Sequence, residues 1–540
     1  MNHSVRFSNA KRTAHMLVRV AVCGVPLLAL PACRIPNLRP AEPAASLPAG
    51  FPVAGATTAT TGGFTAGNSV PLAAAVGGLG VVGCASNSPA APGGSESSAK
   101  VGIDEFFGDP TLSRLIAEGL AGNQELKIRA EDIQIARNEI LARIGAYLPF
   151  LSLGTRATVD KSSAFTPLGA AERQLTDARG RGFPDPLPNY LVAANFSWQV
   201  DIWRKLRNAR DAASLRYLAT TEGRNYVVTR LVADVAENYY TLRALDQRLE
   251  TLDRTIALQE QSRLASQARL DAGRGTSLAV QRFQAEVRKN QSEKLIVRQE
   301  VVEAENRINF LLGRFPQPVE RATAGFLDLN LHSLDVGVPA QLLLNRPDIR
   351  QAEDELQAAG LEVKVARAEF FPSLDITGSV GYEAFNPRFL FNPEAFVANA
   401  GGNLVAPLVN RAAIKAAYGS ANARQLQSVY NYQRVVLNAF TEVVNRVSMA
   451  ENYGKSIALK RQQLEALEAS VDAATKLYQA AKAEYIEVLF AQRDLLEART
   501  TLIQTKRQQL SAIVNTYQAL GGGDPSASMT QNPTPVIVTR

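Results

Sequence analysis

Polar and apolar residues alternate strictly from Ser373 to Tyr382, directly after a helical stretch that stops at Pro372. Leu374, Ile376, Val380 and Tyr382 fall on one face, with Gly378 as a gap, and Ser373, Asp375, Thr377 and Ser379 fall on the other. That period of two predicts a two-faced β-strand. The pattern occurs twice. "PFLSLGTRATVD", 223 residues earlier, has Pro149 in place of Pro372, and Leu151, Leu153, Ala157 and Val159 superpose on the later apolar row. The chain therefore contains an internal repeat in register.

Each copy has a second alternating run. In residues 190–202, Val192, Ala194, Phe196, Trp198, Val200 and Ile202 oppose Ala193, Asn195, Ser197, Gln199 and Asp201. In residues 396–409, Phe396, Ala398, Leu404, Ala406 and Leu408 share a face. Runs of 10–13 residues exceed the usual strand and suit one that spans a bilayer. Four such strands leave two unpaired edges, which a bilayer forbids, and cannot enclose a lumen. Three chains would supply twelve strands. The stretch between the first two strands is longer than its counterpart, and "SSAFTPLGAAERQLTDARGRGFPDPLPN" reads as an exposed loop.

Beyond the strands the period changes. Val228, Val235, Leu242, Leu249 and Ile256 recur every seven residues, with Leu231, Leu245 and Leu252 in the companion seam. The spacing predicts a coiled-coil-like helix from about 206 to 272, roughly 100 Å long. "DAGRGTS" breaks it, with two glycines for the turn and Thr276 or Ser277 as N-cap of a return helix ending near Leu312. The second copy repeats this. Val436, Val443, Ala450, Ile457, Leu464, Val471 and Tyr478 descend, a turn falls in residues 479–485, and Leu489, Leu496, Ile503, Leu510 and Tyr517 return. A narrow apolar seam on so long a helix demands other long helices as partners. The repeats thus predict a tube shared by several chains, part barrel and part helical, with each proline where helix becomes strand.

Composition removes other function classes. The net charge of +7 includes Arg6, Lys11, Arg12 and Arg19 of a leader without acids, so the body carries about +3, too little for nucleic-acid binding. Only His332 lies outside the leader, which disfavours a His-based triad or zinc site. Cys23, Cys33 and Cys84 all precede residue 85, so the body has no disulfide framework. The basic leader and an apolar run of about 13 residues form a signal peptide, 1–32. "LPAC" resembles a bacterial lipobox with Pro31 in place of the usual small or aliphatic residue, and assigns lipidation to Cys33. "VVGC", ending at Cys84, is a rival of the same kind. Residues 33–101 read as a low-complexity tether and 524–540 as a disordered tail.

These residues resemble the TolC-like outer-membrane efflux factors, in particular the lipoprotein branch that serves resistance-nodulation-division pumps. The resemblance covers about 102–523. It is strongest in "LLLNRPDIRQAEDELQAAGLEVKVARAEFFPSL", and "RLDAGRGTSLAV", "EVLFAQRDLL" and "YQALGGG" support it. It implies a mostly α protein with β: the twofold-repeated protomer of a trimeric, 12-stranded outer-membrane β-barrel continuing into a long periplasmic α-helical barrel. The first repeat would span 102–315, with a β-hairpin at 148–202 and a helical hairpin at 206–312. A connector at 316–340 leads to the second repeat at 341–523, with hairpins at 372–409 and 410–518. The resemblance further implies export of small molecules, drugs or metal ions, a periplasmic adaptor and an inner-membrane pump as partners, and no cofactor. The chain shows no Walker-type phosphate loop, consistent with a passive conduit.

The resemblance carries site residues too. Adaptor docking falls on Gly273, Thr276, Ser277 and Val280 at the first tip and on Tyr478, Ala481 and Glu484 at the second, where Ala481 replaces a usual glycine. The periplasmic aperture falls on Glu487 and Phe490, the latter replacing a second acid, so the constriction is partly apolar. For these residues plain turn chemistry and a solvated helix face are the competing readings. A barrel-anchored coiled-coil adhesin is the other whole-chain reading, disfavoured by the repetition of both strands and helices. A carboxylate enzyme is a third, for which no acid/base constellation stands out.

Overall fold

The computed structural model describes residues 35–43, 47–48, 50–51, 98–176, 180–322, 325–331, 336–409 and 411–523. The signal peptide, Cys33, Cys84, His332 and the tail lie outside the described residues. The first half of the fold comprises α1 (Ile103–Phe107), α2 (Pro110–Gly122), α3 (Gln124–Tyr147), β1 (Phe150–Asp160), α4 (Pro167–Glu172), β2 (Leu187–Val200), α5 (Lys205–Asp271) and α6 (Ser277–Leu311). The second comprises α7 (Ala340–Asn345), α8 (Pro347–Ala368), β3 (Ser373–Ala384), β4 (Phe396–Val405), α9 (Ala412–Gln479) and α10 (Tyr485–Ala519).

The four strands form one antiparallel sheet in the order β1-β2-β3-β4, with β1 and β4 as open edges. Its register aligns the two faces of all four strands. Leu153 pairs with Ala194, Ala194 with Val380 and Val380 with Ala398, whereas Ser152 pairs with Asn195, Asn195 with Ser379 and Ser379 with Asn399. A slip of one residue would mix the faces. The apolar face is bare in one protomer: Leu151, Leu153, Val380 and Leu404 are all exposed. On the polar face Gly381 faces Ala193, and a Cβ there would meet the Val192 carbonyl oxygen at 2.2 Å, so the backbones approach where only glycine fits.

Two boundaries differ from the expected ones. Ala406 and Leu408 lie beyond β4, because Pro407 offers no N–H to extend the ladder. Asp201 leaves the strand face and caps α5, accepting from Leu206 N and Arg207 N at 3.0 Å each. The first loop also contains the short helix α4.

α5 and α9 run 67 and 68 residues, roughly 100 Å, while α6 and α10 run 35 residues each. A return helix therefore covers only the tip half of each long helix. The membrane half is covered by α3 and α8. Between the halves an equatorial layer forms the largest apolar cluster, with Phe106, Leu112, Val235, Tyr239, Leu242, Ile308, Phe326, Leu510 and Tyr517 all buried. The heptad positions Val228, Val235, Leu242, Ile503 and Leu510 are in it, as the seam requires. Asp109 starts α2 by accepting from Thr111 N at 2.9 Å, and its other oxygen accepts from Tyr239 Oη at 2.8 Å.

The described part of the expected tether is laid along α9. Ile35 packs against the cluster of Val363, Ala366, Phe370, Tyr418 and Ala421, Arg39 N donates to Asn422 Oδ1 at 3.0 Å, and Phe51 stacks on Phe440 with centroids 5.3 Å apart. Ile35, Leu47 and Phe51 supply the apolar anchors that a featureless tether would lack. No helix among the described residues is long and apolar enough to cross a membrane.

Candidate functional site: the sheet faces and the helical tips

The two tips close by the same backbone turn. After α5, Gly273 N donates to Leu270 O at 2.9 Å and Arg274 N to Arg269 O at 2.8 Å. After α9, Ala481 N donates to Tyr478 O at 3.0 Å and Lys482 N to Leu477 O at 2.9 Å. Both are Schellman motifs with a left-handed residue just past the helix, Gly273 at φ 68° and Ala481 at φ 57°. Ala481 thus adopts a conformation that glycine accepts freely and alanine resists. Thr276 takes the N-cap place of α6 with extended backbone and no side-chain hydrogen bond.

Gly273, Thr276, Ser277, Ala481 and Glu484 are exposed. Val280 and Tyr478 are not: they are 9% and 8% exposed. Tyr478 is turned against the first hairpin, where its Oη lies 3.0 Å from Ser266 Oγ, its carbonyl accepts from Arg269 Nη1 at 2.7 Å, and the Arg269 guanidinium sits 4.5 Å over its ring. The expected docking role of these two residues meets a structural one, since both lie inside the tip. Glu487 and Phe490 are exposed one helical turn apart on α10, with Phe490 53% exposed.

Further along the same seam, the buried positions of α5 turn polar. Thr251, Thr255, Gln259, Ser262 and Ser266 are all nearly inaccessible. Gln492 of α10 donates to Ser262 Oγ at 2.9 Å, Asn290 of α6 donates to Gln259 Oε1 at 2.8 Å, and Arg493 pairs with Glu286. An apolar cluster beside them joins Phe283 of α6 to Tyr478, Val488 and Leu489. Of these residues only Tyr478 is among the sites expected from the sequence. A signal was present, because Gln259 and Ser266 continue the Leu245–Leu252 heptad series with polar residues.

A sheet open at both edges, with a bare apolar face and a polar face, carried on helices some 100 Å long, defines one wall segment of an outer-membrane channel that extends into the periplasm. The chain belongs to the outer membrane efflux protein family, whose model matches residues 115–314 and 338–522, most of the chain. Among relatives, the cation efflux system protein CusC of Escherichia coli strain K12 is 27% identical over 429 residues, 79% of this chain and 90% of its own length. The solvent efflux pump outer membrane protein SrpC of Pseudomonas putida is 28% identical over 420 residues, 78% of this chain and 87% of its own. A crystal structure of CusC superposes with a TM-score of 0.71 at 27% identity, covering 78% of this chain and 94% of that one. The open-state MtrE outer membrane channel of Neisseria gonorrhoeae shares the fold, with a TM-score of 0.70 at 23% identity over 79% of this chain and 93% of that one. The fold is that of the trimeric outer-membrane channels, and the protein is the outer-membrane channel component of an efflux system.

Proposed function

We propose that three copies of this chain form the passive duct of a tripartite efflux system. The duct takes small molecules, drugs or metal ions from a periplasmic adaptor and an inner-membrane pump of the resistance-nodulation-division type and releases them outside. The observation that carries this reading is the sheet: two faces in register across four strands, and two edges that only sister copies can pair. The wall itself has no catalytic task in this scheme; its buried polar groups hold helices to one another. The named cargoes of relatives, cations for CusC and solvents for SrpC, support a wall that serves different pumps.

Docking of the adaptor falls on the exposed tip residues Gly273, Thr276, Ser277, Ala481 and Glu484. Glu487 and Phe490 form the aperture, three carboxylates and three rings around a threefold axis. Lipidation falls on Cys33. Ile35 packs against the cluster that contains Phe370, which lies just before Pro372 and the start of β3, and Cys33 is at most ~7 Å of chain away. Cys84 precedes Ser98 by 14 residues. Next to that serine, the Val101 carbonyl accepts from equatorial Tyr517 at 2.6 Å, about the length of α3, ~36 Å, below the strands. Cys84 would reach lipid only with most of that segment stretched.

Planar-bilayer recording of the purified protein tests the duct. The expected result is single-channel current, larger in Glu487→Ala/Phe490→Ala. Silence from both proteins would remove the proposal. Labelling with a radioactive fatty acid should vanish in Cys33→Ser, and labelling that persists would move the anchor to Cys84.

A further inference from the structure

We propose that the inner wall carries, once per protomer, a contact groove for organic anions with an apolar body. This deepens the duct reading and rests on it. The groove has a volume of about 530 Å³ and lies at the equatorial level, with α5 as floor and α6 and α10 as walls. Its position follows from the helix wheel. Tyr239, Arg243 and Asp246 of α5 face the equatorial layer, where they meet Asp109 and Arg321 at 2.8, 3.6 and 2.6 Å. Thr241, Leu245 and Arg248 line the groove, and at ~100° per residue they centre about 160° from that outward face. α6 and α10 occupy the two flanks, so the groove opens toward the axis around which copies assemble.

The charges on the groove divide into committed and uncommitted. Arg248 is held by Glu293 and Glu300, and Glu303 accepts from Gln299 at 3.1 Å. Nearby, Glu237 accepts from Ser511 at 2.6 Å, and Asp234 lies 3.8 Å from Arg230. Arg307 on one wall and Arg507 on the other have no carboxylate within ion-pair distance among the described residues, although Arg307 lies over the Phe310 ring at 5.6 Å and attracts Asp234 from beyond that distance. Two guanidiniums on facing walls present fork donors to a carboxylate, sulfonate or phosphate. Leu245, partly buried, is the most accessible of the groove's apolar side chains, with Ala304 and Ile503 nearly closed behind it, and would receive the rest of such a molecule. In an assembled channel the groove would hold exported anions weakly on their way past the equator.

Isothermal titration of the full-length trimer in detergent, with naphthalene-2-sulfonate as probe, tests this. Saturable binding is expected, weakened at least tenfold in Arg307→Gln/Arg507→Gln. Gln504→Trp, which fills the groove and keeps both arginines, should produce the same loss. Unchanged affinity in both variants, or heats no larger than those from empty micelles, would overturn the groove. Bilayer current recorded on the same preparations separates the two ideas. A protein that conducts without binding the sulfonate loses the groove and keeps the duct. One that neither conducts nor binds loses both. Arginine-dependent binding without current supports the groove and counts against the duct.

Discussion

Arg346 opens α8 within "LLLNRPDI", part of the stretch that most strongly marks the family, yet it touches neither tip nor aperture. It is 2% exposed. Its Nη1 donates to the Ala519 carbonyl at 2.7 Å, its Nε and Nη2 grip Asp348 at 3.0 and 2.8 Å, and Glu442 of α9 lies at 3.2 Å. One guanidinium thus ties together the start of α8, the middle of α9 and the end of α10. Burial alone would lower its pKa, but the hydrogen bond and charge of Asp348 and the charge of Glu442 outweigh that and raise it. Arg346→Leu leaves two carboxylates without their cation and a carbonyl without its donor, although Asp348 still accepts from Ile349 N at 3.0 Å. Breaking a buried pair from one side costs about 3–5 kcal/mol. The Asp348 and Glu442 side chains are 20% and 27% exposed, so water recovers part of the loss and the lower figure applies, about 3 kcal/mol. With unfolding entropy near 2.1 cal/mol/K per residue, and roughly 420 ordered residues, the melting temperature should fall by about 3 °C. Thermal melts of the detergent-solubilised trimer followed by circular dichroism measure this. The neutral triple Arg346→Leu/Asp348→Asn/Glu442→Gln should recover most of the drop, because the stranded charges are gone. A single variant that melts within 1 °C of the parent, or a triple no better than the single, refutes the reasoning.

The other predictions concern tip and core. Ala481→Gly should stabilise the second tip by about 0.5–1 kcal/mol, the left-handed penalty less the added freedom of the unfolded chain, and slow amide exchange there; faster exchange contradicts it. Phe283, fully buried where the hairpins meet, should cost about 3–5 kcal/mol as Phe283→Ala and raise bilayer current, and unchanged current would show that the contact does not limit the passage. Glu487→Gln should shift the reversal potential in a salt gradient toward anions, and an unshifted potential would take the carboxylate off the ion path. Burial pushes Tyr239 and Tyr517 up to about 12 from an unfolded value of 10.0. Their contribution is complete below pH 10 and lost as pH rises through 12, so chemical denaturation at pH 11.5 should show lower stability than at pH 9.

Much of this architecture is local and therefore readable in the chain. Pro149 and Pro372 end helices, period two fills the strands, and DAGRGTS and QAAKAEY mark the tips. The heptads at Val228–Leu242 and Ile503–Tyr517 are buried together. What the local pattern leaves open depends on groups far apart in the chain. Asp201 has the alternation of a strand residue, and only the arrival of α5 makes it a cap. Ile35 and Phe51 gain meaning from Phe370 and Phe440, nearly 390 residues away in sequence at the second pair. Tyr478 continues a heptad and sits beside a turn, so its exposure is undecided until Ser266 and Arg269 of the other hairpin close on it.

The seam along α5 changes character where the return helices have left the equatorial layer, and the change bears on how the wall can move. At the equator Val235, Tyr239 and Leu242 are sealed among apolar neighbours, and parting helices there exposes side chains worth about 1.5–3 kcal/mol each. Near the tips the links between hairpins are Ser266 to Tyr478, Arg269 to Tyr478, Gln492 to Ser262 and Arg493 to Glu286. Water can replace each at a net cost of about 0.5–1.5 kcal/mol, somewhat more for the charged ones. Two apolar contacts must also separate, the Phe283 cluster and a second one in which Leu258 of α5 packs against the cluster of Val471, Ala491 and Leu495 in the other hairpin. A partner that grips the exposed tip turns therefore has to part four polar links and the small apolar clusters around Phe283 and Leu258, while the same displacement at the equator would open the core of the protomer. The seam's polarity thus confines easy separation to the tip end, where we propose that the adaptor docks.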